Sequence, residues 1–101
     1  MVKVIWTKRA FRQFERAIRY IREDQGIYYA RIVHSKIIDA ISHLEMHPFL
    51  GVQEPVLVHK KSDYRFIVVW SYKIIYRVDS THVVIARIFH TSRNPKKLPG
   101  V

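Results

Sequence analysis

The sequence predicts an α+β domain in which a helical hairpin packs on one face of an antiparallel β-sheet. Apolar residues recur at the helical period through two consecutive segments of the first half. Three runs rich in Val, Ile, Phe and Tyr then follow one another closely in the last third. Helices followed by a series of strands are typical of the α+β class. We therefore predict the order β-α-α-β-β-β-β in a single domain, residues 1–101.

The first half of the chain supplies one strand and both helices. Residues 2–6 predict a short strand, and Thr7 is a suitable N-cap for the helix that follows. Gly26 ends this helix, and a second helix is predicted over residues 27–46. The first helix has its apolar face at Ala10, Phe11, Phe14, Ala17, Ile18 and Ile21, and the second at Ala30, Val33, Ile37, Ile41 and Leu44. Neither helix can bury its apolar face on the other alone, so both need the sheet.

The connection between helices and sheet begins at Pro48, which stops the second helix. Gly51 permits a turn, and residues 52–61 are expected to hold one short strand near Val56–Val58. Pro55 argues against a long central strand there, because proline cannot donate to a strand ladder.

The last third predicts three further strands, over residues 64–69, 72–78 and 83–89. Asp79-Ser80-Thr81 is a hairpin turn, whereas Trp70-Ser71 is a weaker break that leaves the first two runs either separate or continuous around a bulge. Asn94–Val101 is expected to be irregular. With the helices on one face, the polar strand residues should look out from the opposite, open face.

The charge balance points to a polyanionic partner. Eighteen Lys and Arg face eight Asp and Glu, a net charge of +10, and no acidic residue follows Asp79. Such an excess is typical of proteins that bind nucleic acid, a ribosome surface or an acidic protein segment. A stripe of arginines on the first helix is either a solvated face or part of that surface: Arg9, Arg12, Arg16 and Arg19.

Several classes of function are disfavoured by the residues that the sequence lacks. Without cysteine there is no disulfide framework, thiolate nucleophile or cysteine metal site. No signal peptide and no membrane-spanning run is recognisable, so we expect a cytoplasmic protein with no membrane partner. Phosphate-loop and dinucleotide patterns are missing, and His43 and His47 have no carboxylate pair beside them. We therefore predict no cofactor and no metal site.

A set of polar residues around the late strands could carry chemistry. Its members are Glu54, Arg65, Lys73, Arg87, His90 and Arg93. A carboxylate base, an imidazole acid and a cluster of cations would suit metal-free RNA cleavage, because they could take the 2′-hydroxyl proton, protonate the leaving oxygen and stabilise the phosphorane. The residue pattern by itself favours structural roles, with Glu54 in a salt bridge, the arginines solvated and His90 half-buried.

The order of elements and the residues along it resemble the RelE/ParE superfamily of toxins from type II toxin–antitoxin systems. The matching positions are Trp6-Thr7, Tyr20-Ile21, Ile41, Leu44, Pro48, Gly51, Tyr64-Arg65, Tyr72, Ile74, Tyr76-Arg77-Val78, Ile85, Arg87 and His90. The resemblance implies a small basic toxin of a plasmid-stabilisation module that inhibits growth. It also implies a cognate antitoxin whose acidic, partly disordered segment folds along the toxin.

Within the superfamily the sequence leans to the ParE-like branch, which poisons DNA gyrase. The long helical hairpin resembles that branch, as do the segments 76–78 and 84–90. In this case Arg65, Lys73, Arg87 and Arg93 would contact a protein partner or phosphate groups, and no catalytic residue would be needed.

The first alternative is a ribosome-dependent mRNA interferase that resembles RelE and YoeB. That resemblance implies Glu54 as base, His90 as acid and the strand cations as phosphate clamps. The sequence departs from that branch in having Lys73 where arginine is usual, and Thr91 where YoeB-like members have tyrosine. The second alternative is a basic nucleic-acid-binding module with no toxicity.

Overall fold

The computed structural model describes residues 2–93 and 98–99, and it confirms the predicted α+β class and element order. The elements are β1 (Lys3–Trp6), α1 (Lys8–Gln25), α2 (Ile27–His43), β2 (Val52–Gln53), a 3₁₀ turn (Pro55–Leu57), β3 (Asp63–Val69), β4 (Tyr72–Val78) and β5 (His82–His90). Of the predicted irregular tail, Asn94–Lys97 and Gly100–Val101 lie outside the described residues. None of the helices in the described part is long and apolar enough to cross a membrane.

The five strands form one sheet in the order β1-β5-β4-β3-β2. The pairs β2–β3, β3–β4 and β4–β5 are antiparallel, as predicted for a series of short connections, but β1 pairs with β5 in parallel. The sheet is therefore mixed rather than purely antiparallel. A hairpin turn forces antiparallel pairing, whereas β1 reaches β5 only through the helices and the other strands, so its direction is not fixed by any turn.

Both helices begin and end where local chemistry favours it. The hydroxyl of Thr7 accepts a hydrogen bond from the backbone N–H of Ala10 at 3.1 Å and caps α1. Gly26 has a φ of +98° and donates its N–H to Arg22, so it ends α1 and lets the chain turn into α2. The helix α2 ends at His43 rather than Met46, because the next turn tightens to bonds such as Leu44 N–H to the Ile41 carbonyl at 3.0 Å.

The core lies between the helical hairpin and one face of the sheet. Most of the predicted apolar positions of the two helices are buried here, namely Ala10, Phe14, Ile21, Ala30, Val33, Ile37, Ile41 and Leu44, whereas the predicted Phe11 is half exposed. The sheet contributes every second residue of β4 and the matching residues of β5: Tyr72, Ile74, Tyr76, Val78, Val83, Ile85 and Ile88. We call this side of the sheet the helix face and the other side the outer face.

A bulge in β5 changes which residues reach the outer face. Ile85 pairs with Tyr76 and Arg87 pairs with Ile75, so Ala86 is an extra residue between them. Strict alternation from Ile85 would place Arg87 on the helix face, but the extra residue shifts it to the outer face beside Ile75.

The strand predicted near Val56–Val58 is wrong. Pro55–Leu57 is a 3₁₀ turn, and the short strand lies earlier at Val52–Gln53. The Glu54 carboxylate accepts the Val56 N–H at 3.4 Å and caps the turn, while Pro55 stands in the first turn, where a missing N–H costs nothing.

The outer face is less open than predicted. Leu57 from the 3₁₀ turn and Ile75 from β4 are both buried, yet neither belongs to the core under the helices. The connection that follows β2 therefore covers part of the outer face, because a sheet with apolar residues on both faces needs cover on both.

Candidate functional site

A buried ion pair joins two of the predicted site residues on the outer face. Glu54 is only 2% exposed, and its Oε2 lies 2.8 Å from Nζ of Lys73 on β4. The approach falls outside hydrogen-bond geometry, so attraction between charges holds the pair. The ammonium also lies 4.2 Å from the centre of the Phe66 ring. Burial of one charge requires the other, since an isolated buried charge is very costly.

The same geometry closes the Glu54 carboxylate to an approaching substrate. The backbone N–H of Glu54 donates to the Tyr64 carbonyl at 2.8 Å, and Oε1 of its side chain accepts the Val56 N–H. Both carboxylate oxygens are thus engaged within the protein. A general base must come within hydrogen-bond reach of the proton that it removes, which this conformation does not allow.

His90 lies on the other side of the sheet from this ion pair. It pairs with Tyr72, whose ring belongs to the core and meets the imidazole edge-to-face at 5.4 Å. Neighbouring residues of a strand point to opposite faces, so Tyr72 and Lys73 cannot share one. Ser92 donates its backbone N–H to Nδ1 of His90 at 3.0 Å. The structure therefore brings Glu54 and Lys73 together and leaves His90 apart from them.

Arg65 also lies on the helix face, because it pairs with Tyr76. Its Nε is 3.2 Å from the Asp63 carboxylate, and its Nη1 donates to the Gly51 carbonyl at 2.9 Å. The guanidinium carbon stands 5.0 Å from the centre of the Phe49 ring. These contacts use Arg65 to hold the loop between α2 and β2.

Arg87 is the most enclosed of the predicted cations, with 6% of its surface exposed. It donates through Nη1 to the Ala86 carbonyl at 2.8 Å and through Nη2 to the Pro99 carbonyl. Burial is the main cause that lowers the pKa of its guanidinium, and the positive charge of Arg9 lowers it further. Arg93 is exposed on the chain beyond β5, where its backbone N–H donates to His90 at 2.9 Å.

Sequence reasoning missed the residues that fix the loop before β2. The buried hydroxyl of Tyr76 accepts the Gly51 N–H at 2.8 Å and donates to the Pro48 carbonyl at 2.9 Å. A Cβ on Gly51 would stand 2.4 Å from the Phe66 carbonyl oxygen, so glycine is needed for this close approach. Pro48 and Gly51 were recognisable as a turn, but its partners come from strands far along the chain.

The fixed loop presents apolar side chains beside a shallow groove. Phe49, Leu50 and Val52 are each more than half exposed, and so is Val68 on β3. The groove has a volume of 350 Å³ and lies between α2 and the edge of β3, lined by Ala40, Leu50, Gly51, Val52, Phe66, Ile67, Val68 and Val69. Leu50, Val52 and Val68 thus line the groove with exposed apolar surface, which is typical of a protein-binding site. Within residues 2–93 and 98–99, no three His, Asp or Glu side chains cluster closely enough to hold a metal ion.

The sequence matches, over residues 4–95, the family described as the ParE toxin of the type II toxin–antitoxin system parDE. The chain belongs to the ParE toxin family. Among proteins with curated descriptions, none matches this sequence.

Solved structures agree with ParE membership at the level of the fold. One is described as a chromosomal ParDE toxin–antitoxin system from P. aeruginosa, with a TM-score of 0.74 at 20% identity, covering 89% of this chain and 96% of that one. Another is the YoeB dimer from Staphylococcus aureus, with a TM-score of 0.57 at 16% identity, covering 88% of this chain and 97% of that one. The family match over residues 4–95, with which these folds agree, confirms the predicted superfamily.

Proposed function

We propose that this ParE-family protein inhibits growth by binding an essential protein target, DNA gyrase, and that it does not cleave RNA. A cognate antitoxin neutralises it through an acidic segment. The observation that carries this proposal is the separation of the residues that a nuclease would need. Glu54 is sealed in an ion pair with Lys73 on the outer face, while His90 stands on the helix face.

A metal-free ribonuclease must hold its base and acid on the two sides of one phosphate. Here the sheet itself lies between the carboxylate and the imidazole. Turning the Glu54 carboxylate towards a substrate would release the Val56 N–H and leave the Lys73 ammonium, whose side chain is only 20% exposed, without its partner. These costs support inhibition by binding over catalysis.

The surface suits recognition of proteins in two ways. The exposed apolar side chains that line the groove, Leu50, Val52 and Val68, offer surface of the kind that protein interfaces bury. The net charge of +10 favours an acidic partner. The similarity to a ParDE toxin–antitoxin structure supports a cognate antitoxin as one such partner.

The test is inducible expression in a bacterium, scored for growth, for supercoiling of a reporter plasmid and for integrity of messenger RNA. We expect loss of negative supercoiling before any loss of message. His90→Ala should inhibit growth as strongly as the unaltered chain, and so should His82→Ala, a matched change at the other end of β5. Coexpression of the gene product encoded next to the toxin should restore growth.

The opposite result would establish the interferase alternative. Messenger RNA would then fragment while supercoiling stays intact. His90→Ala would lose toxicity although it folds, and His82→Ala would keep it. Normal growth on expression of the folded, unaltered chain would overturn both activities and favour the non-toxic binding module.

A further inference from the structure

Two arginines from opposite ends of the sequence converge on one peptide oxygen. Arg9, in the first turn of α1, donates from Nη1 to the Pro99 carbonyl at 2.8 Å. Arg87, on the bulged part of β5, donates from Nη2 to the same oxygen. Two positive groups held this close repel each other, so a shared acceptor between them is needed.

The Pro99 carbonyl is a weaker hydrogen-bond acceptor for the two guanidinium groups than a carboxylate would be. Arg87 is 6% exposed, and among the ion pairs of the described chain neither it nor Arg9 has an Asp or Glu partner. Hydrogen bonds between guanidinium and carboxylate are roughly twice as strong as those to neutral acceptors, and they match the planar fork of arginine. The site is thus built for an anion but contains a neutral carbonyl.

We propose that Arg9 and Arg87 bind a carboxylate from an acidic peptide segment of a partner protein, and that Pro99 occupies this position in the free chain. The proposal deepens the function given above, and rests on it in so far as the segment belongs to the antitoxin. Pro99 acts as a self-ligand that the carboxylate displaces.

Two features favour a peptide over a nucleic acid as the occupant. The group already held is a single oxygen of a polypeptide, so the site accommodates a polypeptide backbone. Arg87 is also buried and bonded to the Ala86 carbonyl, so little of its guanidinium is open to a chain of phosphates. Arginines that neutralise a phosphate backbone work from exposed surfaces along a strand of many charges.

Self-occupation weakens binding of the partner, because the apparent affinity is the intrinsic affinity multiplied by the fraction of molecules in which Pro99 has left the site. Two shortened chains should therefore change affinity in opposite directions. A chain that ends at Lys97 loses the self-ligand and should bind more tightly. A chain that ends at Pro99 gains a terminal carboxylate where the carbonyl lies, so it should hold its own tail more strongly and bind more weakly. The residues removed carry no charged side chain, so the net charge stays the same.

The probe is a fluorescein-labelled hexaglutamate peptide, titrated with purified full-length and shortened chains at fixed ionic strength, with anisotropy as the readout. We expect affinity to rise about threefold or more for the chain ending at Lys97 and to fall for the chain ending at Pro99. Arg9→Gln should weaken binding about three- to tenfold. Arg16→Gln removes the same charge two turns along α1 and should weaken it less than twofold. Arg87→Lys, which keeps the charge but loses the fork, should weaken it like Arg9→Gln.

Equal affinity for the two shortened chains would overturn the proposal, as would equal losses for Arg9→Gln and Arg16→Gln. A labelled hexauridylate, titrated in parallel, should bind the full-length and shortened chains with the same affinity. If it instead showed the pattern expected of the peptide, the site would bind phosphate rather than a peptide carboxylate. Binding is measured on purified protein, so it is independent of toxicity. If the affinities changed as expected but expression of the chain left growth unaffected, the proposed function would be overturned and the carboxylate site would stand.

Discussion

Removing the hydroxyl of Tyr76 should loosen the loop before β2 and cost much of the stability of the domain. In Tyr76→Phe the Gly51 N–H loses its buried acceptor and the Pro48 carbonyl loses its donor. An unsatisfied buried group costs about 1–3 kcal/mol, while the carbonyl is half-buried and can turn to water. We therefore expect the free energy of unfolding to fall by about 2–3 kcal/mol. For a domain of this size the Tm should fall by roughly 10–20 °C.

The measurement is urea and thermal unfolding followed by circular dichroism. Tyr64→Phe is the matched control, because within the described residues its hydroxyl makes no hydrogen bond, and it should change stability by less than about 0.5 kcal/mol. If Tyr76→Phe matched this control, the hydroxyl would not hold the loop.

The same variant should also change how stability depends on pH. Burial is the main cause that raises the pKa of the Tyr76 hydroxyl above its usual value of 10.0. Because the folded state favours the neutral phenol, its contribution to stability is complete below about pH 10 and is lost as pH rises through the higher folded pKa. Tyr76→Phe should lose less stability than the unaltered chain above pH 10. Equal losses in both chains would contradict this reasoning.

Three further predictions concern stability measured by urea unfolding. Glu54→Gln leaves the Lys73 ammonium without its carboxylate and should lower the free energy of unfolding by about 2–3 kcal/mol. Adding Lys73→Met to this variant should recover most of that loss, and additive effects would show that the pair is not coupled. Gly51→Ala should cost at least about 2 kcal/mol, because its Cβ meets the Phe66 carbonyl oxygen at 2.4 Å, and a neutral result would refute that clash. Trp70 has a φ of +55°, a conformation that strains residues other than glycine. Trp70→Gly should therefore be more stable than Trp70→Ala by about 1 kcal/mol, because both variants lose the ring and only glycine relieves the backbone strain. Equal stability would contradict this.

Short-range chemistry was predictable because it depends on neighbours in the chain. The apolar period of α1 and α2, the cap at Thr7 and the break at Gly26 specified both helices. The last turn of α2 was wrong, because helix ends tighten gradually and propensity does not fix the final residue. Phe11, predicted on the apolar face of α1, is half exposed.

The connection after β2 was predicted wrongly because a tertiary contact decides it. Apolar residues around Pro55 are compatible with an edge strand or a turn. Glu54 selects the turn by capping it, and Glu54 itself is held there by the ion pair with Lys73 on β4. A contact between residues so far apart in the chain leaves no local signal.

The sequence by itself determined the α+β class, the order of elements, the basic character and the resemblance to the RelE/ParE superfamily, because these follow from composition and from patterns along the chain. Only the tertiary structure decided which polar residues meet. The bulge at Ala86 sends Arg87 to the outer face, register places His90 on the helix face, and a hydrogen bond joins Arg9 to Pro99. Strand alternation has a period of two, so one inserted residue reverses every side chain beyond it, and nothing in the local sequence records that reversal.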